Sequence, residues 1–337
     1  MAELPSIAFV VATLNESSHI EACVRSLQAQ RYPEDRIRIA VVDGGSSDDT
    51  VAIVERMAAA DPRILPLRNP RKIAPSAFNI GIASTDTDII SLVSAHSTTD
   101  PEYAPLLAAA FESSGASLVG GRCIAAAVGD DPVANAVVLA TSSPLGLGSA
   151  TYHYGEEPGW VDTAFPGAYR RELLEEIGGF DETLVRNQDD ELHLRARLAG
   201  HRMWFDPKLR STYTPRASLK ALWRQYFEYG WWRTVTLRKH GTVASVRHLV
   251  PPAFVAGLAA GPVLFAVPGL RVLRPVWLAG AGGWVLLLAA SGLREREAGA
   301  AVAARVPSAV ACLHLAYGAG FWAGAAAQAR DALKEKA

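Results

Sequence analysis

Short apolar runs alternate with segments of helical periodicity along the first part of the chain. Ile7–Ala12, Arg38–Val42 and Asp88–Val93 have the length and apolar content of buried strands. Between the first two, residues 20–27 carry apolar side chains at helical spacing, which predicts a helix with one buried face. Strands that alternate with helices in this way predict an α/β domain whose mostly parallel sheet is covered on both faces.

Polar loops follow three of the predicted strands, after Ala12, Val42 and Val93. Ligands of parallel sheets bind at the carboxyl ends of the strands, so these loops predict one binding edge. The loop DGGSSDDT after Val42 has a carboxylate at the strand end and two glycines that let a ligand approach the backbone. It is neither a Walker loop nor a GxGxxG loop. Read alone, it is equally consistent with a glycine turn and an acid that caps the next helix.

Three long apolar runs follow residue 248, where the composition changes sharply. Leu249–Leu270, Pro275–Leu293 and Val306–Ala329 are 22, 19 and 24 residues long and contain no Asp, Glu, Lys or Arg. A helix of about 20 residues crosses the hydrocarbon core of a bilayer, so the runs predict about three transmembrane helices. Buried helices of a soluble domain are the alternative, and the third run is also open to a shallow or re-entrant interpretation.

Charge and cysteine content exclude several classes of protein. The formal net charge of −1 gives no overall positive field, so nucleic acid is not an expected partner. The three cysteines lack CxxC spacing, which argues against a disulfide framework or a zinc site. The N-terminal sequence does not have the features of a secretory signal, and a strongly basic segment, residues 207–248, precedes the first apolar run. Under the positive-inside rule, these features predict a multi-pass protein of the cell membrane with a cytoplasmic N-terminal domain.

The segment SLKALWRQYFEYGWWR joins the two parts of the chain. Its apolar side chains at helical spacing are Leu219, Leu222, Trp223, Tyr226 and Phe227. Charged residues fall away from this stripe, and the basic excess favours an amphipathic helix at the cytoplasmic membrane surface. Packing of the stripe against the N-terminal domain is the competing interpretation, and the two are compatible.

Six segments between about residues 5 and 215 occur in the order and spacing of a known family. They are VATLNESSHI, IAVVDGGSSDDT, PRKIAPSAFNIGIAST, IISLVSAHS, FPGAYRRELLEEIGGFDE and NQDDELHLRARLAGHRMWFDP. Together they resemble the family-two inverting glycosyltransferases, and within that family the membrane-bound succinoglycan-type β-glucosyltransferases. The resemblance implies a Rossmann-like nucleotide-diphospho-sugar transferase domain of the GT-A type at residues 1–215. An amphipathic interface segment (216–248), a membrane region (249–329) and a tail (330–337) are expected to follow.

The resemblance also assigns residues to the donor nucleotide sugar. In the family, the first loop cradles the uridine, the second supplies an acid to the uracil ring, and adjacent cations approach the diphosphate. The matching positions are Thr13, Asn15 and Glu16 in the first loop, Asp43 in the second, and the cations Arg71 and Lys72. Adjacent Arg and Lys favour the charge of a diphosphate, although a solvated basic turn has the same composition. Asn79 and Gly81 match a helix that closes the pocket and are expected to be structural.

An acidic turn supplies the candidate catalytic base. Inverting transfer is a single displacement in which a carboxylate takes the proton of the acceptor hydroxyl. The family's acidic pair aligns with Gln188 and Asp189, which makes Asp189 the expected base and Asp190 the alternative. Gln188 departs from the acid that is usual at its position. Three consecutive acids, Asp189 to Glu191, would also favour a helix N-terminus through its dipole alone.

The turn after Val93 departs from the metal-binding motif of the family. The resemblance places an aspartate where this chain has Ser94, and His96 aligns with the second metal-binding position. Histidine is a ligand for Mn²⁺, whereas serine is a poor ligand for Mn²⁺ or Mg²⁺. Either a divalent cation binds here mainly through the phosphates, or Arg71 and Lys72 replace it, or catalysis is impaired. Ser94 is still assigned to the nucleotide-sugar site.

These assignments predict a membrane-anchored hexosyltransferase. The expected reaction moves a hexose, with glucose favoured, from a UDP-sugar to a lipid-linked glycan in exopolysaccharide or cell-envelope synthesis. The candidate acceptor residues are Gln225, Tyr226, Trp232 and Arg233. Two alternatives stay open. One is transfer to polyprenyl phosphate itself, and the other is a non-catalytic sugar-nucleotide-binding scaffold of a polysaccharide assembly complex.

Overall fold

The computed structural model describes residues 3–126, 129–148, 150–213 and 218–334. These residues form two compact units. The first unit consists of residues 1–124 and 151–214, and the second consists of residues 125–150 and 215–337. The predicted boundary between residues 215 and 216 lies outside the described residues, as do residues 335–337 of the predicted tail.

Regular elements occupy most of the described chain. The strands are β1 (Ile7–Thr13), β2 (Ile37–Asp43), β3 (Ile64–Arg68), β4 (Ile89–Ser94), β5 (Ser97–Thr99), β6 (Leu118–Ala125), β7 (Gly159–Val161), β8 (Gly167–Arg170) and β9 (Met203–Tyr213). The helices of the first unit and the insertion are α1 (Ile20–Gln28), α2 (Thr50–Ala60), α3 (Ala74–Ala83), α4 (Tyr103–Ser114), α5 (Pro132–Thr141), α6 (Pro144–Leu147), α7 (Arg171–Ile177) and α8 (Gln188–Leu198). The later helices are α9 (Leu219–His240), α10 (Val250–Ala259), α11 (Gly261–Ala266), α12 (Arg274–Arg294), α13 (Ala300–Ala303) and α14 (Val306–Lys334).

The sheet of the first unit is mixed. Its strand order is β3-β2-β1-β4-β8-β6-β9-β5, and β7 pairs with β9. Strands β1 to β4 are parallel neighbours, as the sequence predicts, whereas β8 is antiparallel to both β4 and β6. The expectation of a mostly parallel sheet is therefore correct for one half and wrong for the other. Strand β8 has four residues, too few for a periodicity that would reveal its direction.

Strand β1 lies in the interior of the sheet, and both of its faces are apolar. Ile7, Phe9 and Val11 belong to one core, and Ala8 and Val10 belong to the other. Successive side chains of a strand point to opposite faces, so this strand divides the two cores. Helix α3 approaches it closely, since a Cβ at Gly81 would lie 2.3 Å from a methyl carbon of Val10. Gly81 is structural, as expected.

The register of the sheet brings three polar loops to one edge. Thr13 at the end of β1 is paired with Asp43 at the end of β2, and Ala12 is paired with Ser94 at the end of β4. The chain winds in opposite directions on the two sides of β1, because β2 and β3 lie on one side and β4 on the other. Such a switch point opens a crevice at the carboxyl ends of the strands.

The second unit is helical, and its long helices touch backbone to backbone. A Cβ at Gly230 of α9 would lie 2.0 Å from the carbonyl oxygen of Tyr317 on α14. At Gly320 of α14 it would lie 2.0 Å from the carbonyl oxygen of Phe227. Small residues at these crossings allow the close approach that is common between helices in lipid.

Three segments of the described chain are long and apolar enough to cross a membrane. They are Val246–Ala266, Pro268–Arg294 and Ala300–Lys334, so the predicted number is confirmed by length and composition. Within α12, Val276 and Leu286 are each 71% exposed. Exposed apolar side chains in such numbers do not suit a helix buried in a soluble domain, and that alternative is not supported for this segment.

Two segments pack differently from the sequence-based expectation. Residues 125–150, expected to belong to the 1–215 domain, pack in the second unit, where Val137 of α5 joins a core with Val310 and Leu313 of α14. Leu222, from the apolar stripe of α9, is buried in the same core. The stripe thus packs against another helix of its own unit, a partner that periodicity alone does not identify.

Candidate active site

The loop after β2 is organised by Asp43. Its Oδ2 accepts hydrogen bonds from the backbone N–H groups of Gly45 (2.7 Å) and Ser46 (3.0 Å), and its Oδ1 accepts one from the Ser46 hydroxyl. Gly45 has φ +86°, a conformation that side chains other than glycine's rarely adopt. The carboxylate that the family resemblance assigns to the uracil ring therefore also holds its own loop in shape.

A cavity of about 410 Å³ lies beside this loop. Asp43, Gly45 and Lys72 line one part of it, and Val54 and Pro66 line an apolar part. An apolar recess with a few polar groups at its rim is typical of pockets for small molecules. The volume falls within the usual range for such pockets, about 300–1,000 Å³.

The loop after β1 is fastened to the loop after β2. Asn15, at φ +55°, accepts a hydrogen bond from the backbone N–H of Ser47 (2.8 Å) and donates its own N–H to the hydroxyl of Ser46 (2.8 Å). The N–H of Glu16 donates to Thr50 at 2.8 Å. Thr13 is buried, and its Oγ1 has no hydrogen-bond partner among the described residues. The structure therefore brings the predicted residues of the first two loops together.

Arg71 and Lys72, the two predicted cations, point in different directions. The Arg71 guanidinium forms an ion pair with Glu182 at 2.5 Å, and Asn79 donates to the other oxygen of Glu182 at 2.9 Å. Lys72, at φ +58°, lies instead over the glycine loop, where its Nζ would be 3.5 Å from a Cβ at Gly45. Only Lys72 of the two is therefore directed toward the cavity in this structure.

Glu16 supplies a carboxylate at the turn that lacks one. Ser94 ends β4, and its Oγ lies 3.1 Å from Nε2 of His96. Nδ1 of His96 lies 3.3 Å from Oε1 of Glu16, which belongs to the first loop. The family resemblance assigned Glu16 to the nucleotide, and its contact with His96 was not predicted, because 80 positions separate the two residues.

These residues fit a divalent cation only in part. No group of three or more His, Cys, Asp or Glu side chains suited to a metal occurs in the described part of the chain. Glu16 and His96 offer two protein ligands at most. That number matches Mg²⁺-type sites in which one or two protein groups share the ion with substrate phosphates and water. A cation here would therefore depend on a bound diphosphate.

The acidic turn at the start of α8 contains three carboxylates in three environments. Glu191 is fully buried and accepts two hydrogen bonds from Arg195, at 2.8 and 2.9 Å. Oδ1 of Asp190 accepts a hydrogen bond from Thr163 at 3.1 Å. Oδ1 of Asp189 is shielded from solvent and has no hydrogen-bond partner among the described residues. Although all three acids lie in the first turn, the helix dipole alone does not explain their different surroundings.

Asp189 has the electrostatics of a base that works near neutral pH. Burial, followed by the neighbouring Asp190 carboxylate, raises the pKa of Asp189 to about 7. Both effects disfavour the charged form, because the first removes water and the second adds a like charge. Catalytic bases need a pKa of this kind, and ordinary surface carboxylates do not have one.

Arg195 connects the acidic turn of α8 to the loop that follows α7. Besides Glu191, it donates to the backbone oxygens of Ile177 (2.5 Å) and Gly179 (2.6 Å). The neighbouring backbone N–H of Phe180 donates to Asn79 on α3 at 2.8 Å. Asn79 is therefore structural, as expected, since it ties α3 to the loop that Arg195 holds.

His193 was missed by sequence reasoning. It is buried on α8, where its Nδ1 lies 3.0 Å from Oγ1 of Thr163 and its Nε2 lies 3.2 Å from the hydroxyl of Tyr169. Burial lowers the pKa of His193 to about 4, so its ring is neutral. Its position one helical turn after Asp189 was the available signal, because residues four apart share a helix face.

The candidate acceptor residues all lie on α9 of the second unit. Arg233 is buried and donates to the Tyr317 hydroxyl at 3.3 Å, and Gln225 donates to the Tyr229 hydroxyl at 3.0 Å. Tyr226 stacks edge-on against Tyr229, and Trp232 is half-buried. These contacts give the residues roles within the helical unit, and their binding of an acceptor stays a prediction.

The chain is similar to known glycosyltransferases. Residues 8–178 match the family described as glycosyl transferase family 2. The succinoglycan biosynthesis protein ExoA of Rhizobium meliloti is 34% identical over 320 residues, which cover 94% of each chain. A dolichyl N-acetyl-alpha-D-glucosaminyl phosphate 3-beta-D-2,3-diacetamido-2,3-dideoxy-beta-D-glucuronosyltransferase of Methanococcus voltae is 24% identical over 239 residues, or 69% of this chain and 74% of that protein.

Two solved structures share the fold. The mannosyltransferase PcManGT from Pyrobaculum calidifontis, in complex with GDP-Man and Mn²⁺, has a TM-score of 0.55 at 21% identity and covers 96% of this chain and 87% of its own. TarS 1–349 of S. aureus, in complex with UDP-GlcNAc, has a TM-score of 0.51 at 16% identity and covers 91% and 90%. The predicted GT-A type α/β domain, followed by helices apolar enough to span a membrane, is confirmed.

Proposed function

The chain belongs to glycosyltransferase family 2, and on that premise we propose that it is a membrane-anchored inverting enzyme. It moves a hexose, with glucose favoured, from a UDP-sugar to a lipid-linked glycan in exopolysaccharide or cell-envelope synthesis. The observation that carries the proposal is Asp189, a shielded carboxylate whose pKa is raised to about 7. A general base is most effective when its pKa lies near the working pH.

In the proposed reaction, Asp189 takes the proton of an acceptor hydroxyl while the hydroxyl oxygen attacks the anomeric carbon of the donor. The bond from that carbon to the diphosphate breaks, and UDP leaves with the bonding electron pair. Attack on the face opposite the leaving group inverts the anomeric configuration. Lys72, which lies over the glycine loop, provides positive charge for the departing diphosphate.

Glu16 and His96 are the residues that would hold a divalent cation, Mn²⁺ or Mg²⁺, together with phosphate oxygens of the donor. Such a cation, when bound, offsets the negative charge that develops on the leaving diphosphate. Support comes from the contact of 3.3 Å between these two side chains at the switch point of the sheet.

The donor and the acceptor are proposed from different parts of the chain. The joined loops that contain Asn15 and Asp43, with the adjacent cavity, support a nucleotide. The choice of glucose rests on the resemblance of the six sequence segments to the succinoglycan-type β-glucosyltransferases. A membrane anchor suits a lipid-borne acceptor, and the basic segment before the first apolar helix supports a catalytic domain on the cytoplasmic side of the cell membrane.

Transfer by the purified full chain in nanodiscs tests the proposal. UDP-glucose and Mn²⁺ are supplied with either polyprenyl phosphate or a polyprenyl-diphosphate monosaccharide, and UDP release and glycolipid formation are measured. We expect product with the diphosphate-linked sugar, loss of product in Asp189→Ala, and normal product in the control Asp35→Asn. Asp35 is an exposed acid just before β2, at the opposite end of the strand from the site.

One alternative is favoured by a specific observation, the replacement of the expected aspartate by Ser94. A non-catalytic scaffold would bind a nucleotide sugar without turning it over. Binding of UDP-sugars without UDP release across all donors and acceptors would therefore support the scaffold and refute the enzyme. Product formed only with polyprenyl phosphate would instead change the acceptor and leave the reaction class intact.

A further inference from the structure

A continuous line of hydrogen bonds runs behind the acidic turn. The Tyr169 hydroxyl lies 3.2 Å from Nε2 of His193, and Nδ1 of His193 lies 3.0 Å from Oγ1 of Thr163. Thr163 in turn donates to Oδ1 of Asp190 at 3.1 Å. Thr163, Tyr169 and His193 are all buried, so water does not complete these contacts. The line connects strand β8, helix α8 and the segment before β8.

The proton on each member of this line follows from its neighbour. Thr163 has one hydroxyl proton, and because that proton goes to Asp190, its oxygen accepts from the N–H of His193 Nδ1. A neutral imidazole with its proton on Nδ1 has a lone pair on Nε2, which accepts from the Tyr169 hydroxyl. Burial lowers the pKa of His193 and raises that of Tyr169, so both side chains stay neutral. Every hydrogen bond therefore points toward Asp190.

We propose that Tyr169, His193 and Thr163 form a directed hydrogen-bond chain that holds Asp190 ionised and fixes it beside Asp189, so that the doubly ionised pair is the active state. Hydrogen bonds in series polarise one another, and bonds donated to a carboxylate favour its charged form. The three residues are positioning residues, since they act through Asp190. The inference rests on the proposed function, in which Asp189 is the base.

The surroundings of the line are polar for a buried place. Asp189, Asp190 and Arg197 face it from α8, and Asp162 faces it from the segment before β8. An apolar residue at position 193 would pack without requiring two polar partners, and buried polar groups are costly unless each is satisfied. Core packing alone therefore does not explain a fully hydrogen-bonded, neutral network that ends on a carboxylate beside the candidate base.

A matched pair of substitutions at Thr163 tests the proposal. Thr163→Val keeps the shape and removes the hydroxyl, whereas Thr163→Ser keeps the hydroxyl. We measure kcat/KM against pH for the full chain in nanodiscs with UDP-glucose and a polyprenyl-diphosphate monosaccharide. In Thr163→Val, Asp190 loses one hydrogen bond to its charged form and should take up a proton at a pH about one unit higher. Because the pair is active only when doubly ionised, the pH at which the acidic limb steepens from a one-proton to a two-proton slope should rise by the same amount. Thr163→Ser should keep the wild-type limb.

A second pair of substitutions, at His193, tests the middle of the hydrogen-bond chain. The result therefore does not depend on the folding of one variant. In His193→Gln the amide donates to Thr163 and its oxygen accepts from Tyr169, so the wild-type limb should be kept. In His193→Leu both contacts are lost while Thr163 still donates to Asp190, so the limb should move in the same direction as in Thr163→Val but by less. Equal limbs in Thr163→Val and wild type, or equal limbs in His193→Gln and His193→Leu, would overturn the proposal.

The proposed hydrogen-bond chain can be tested even if the proposed function is wrong. If wild type transfers no sugar, the proposed function fails, and the chain is then judged by thermal unfolding between pH 5 and pH 8. A carboxylate pair whose folded-state pKa is raised loses stability as the pH rises, and the loss should be larger in Thr163→Val than in Thr163→Ser. If the unfolding temperatures of the two variants fell equally between pH 5 and pH 8, the proposed hydrogen-bond chain would be refuted, even without turnover.

Discussion

The loop after β2 and the first turn of α8 both contain aspartates, and they treat these aspartates in opposite ways. Asp43 receives hydrogen bonds from two backbone N–H groups and a hydroxyl, and a hydrogen bond from Thr50 lowers the pKa of the nearby Asp48. Oδ1 of Asp189 has no such partner among the described residues, and its pKa is raised. A satisfied carboxylate builds a rigid loop, whereas one that is deprived of donors keeps its affinity for a proton.

The largest expected effect comes from removing the charge of Asp189. Asp189→Asn should lower kcat by roughly 10²–10⁴-fold, because no group takes the acceptor proton. It should also raise the unfolding temperature at pH 8, because the buried charge that disfavours the folded state is gone. At pH 5 the wild-type carboxyl is already protonated, so the two chains should unfold at similar temperatures.

Asp35→Asn is the control for this prediction and should change neither quantity. If Asp189→Asn lost activity and was less stable at pH 8, Asp189 would hold its own turn in shape, as Asp43 does, and would not be the base. The comparison between the two regions would then fail.

The pH dependence of the wild type follows from the same aspartate. Its pKa rises from 3.8 to about 7 on folding, so kcat/KM should fall about tenfold per pH unit below pH 7. The folded state holds a proton that the unfolded state has released between these values, so the contribution of Asp189 to stability is lost as the pH rises from about 4 to 7. Activity that stays constant down to pH 5 would contradict the assignment.

A smaller effect is expected at Asp43, whose carboxylate accepts several hydrogen bonds. Asp43→Asn keeps the shape but weakens the loop that lines the cavity, so the KM for UDP-glucose should rise about tenfold with a modest change in kcat. Initial-rate kinetics at saturating acceptor separate the two constants. A fall in kcat as large as that of Asp189→Asn would show that the two regions do not divide binding from proton transfer.

The smallest effect concerns the turn between the two regions. Ser94→Asp adds the carboxylate that the resemblance expects beside His96, and it should lower the Mn²⁺ concentration needed for half-maximal activity. Glu16→Gln removes a proposed ligand and should raise that concentration. Titration of Mn²⁺ against initial rate measures both. An unchanged response in both variants would remove Glu16 and Ser94 from the metal position.

The sequence allows prediction of the edge on which the site lies. Thr13, Asp43 and Ser94 end apolar strands, and a parallel sheet brings such ends together. Consecutive acids likewise favour the start of α8, whereas the choice of Asp189 as the base came from the family resemblance. These features depend on residues close together in the chain or on strand ends of a common direction.

Contacts between residues far apart in the chain could not be predicted from the sequence. Glu16 and His96 are 80 positions apart, and Arg71 and Glu182 are 111 apart. Each contact depends on the path of loops whose conformation is set by positive φ angles and local hydrogen bonds, as at Asn15 and Lys72. The surroundings that raise the pKa of Asp189 are equally non-local, because burial is a property of the assembled fold.

The insertion of residues 125–150 into the second unit determines where the chain tolerates a cut. Because the chain passes between the units near residues 124, 150 and 214, no single cleavage separates them. A chain shortened to residues 1–213 would keep α5 but lose α14, leaving Val137 and Ala140 without their apolar partners. Such a fragment would expose apolar surface to water and aggregate. Solubility of a fragment that contains the first unit therefore depends on residues of α14, such as Val310, which is 173 positions after Val137.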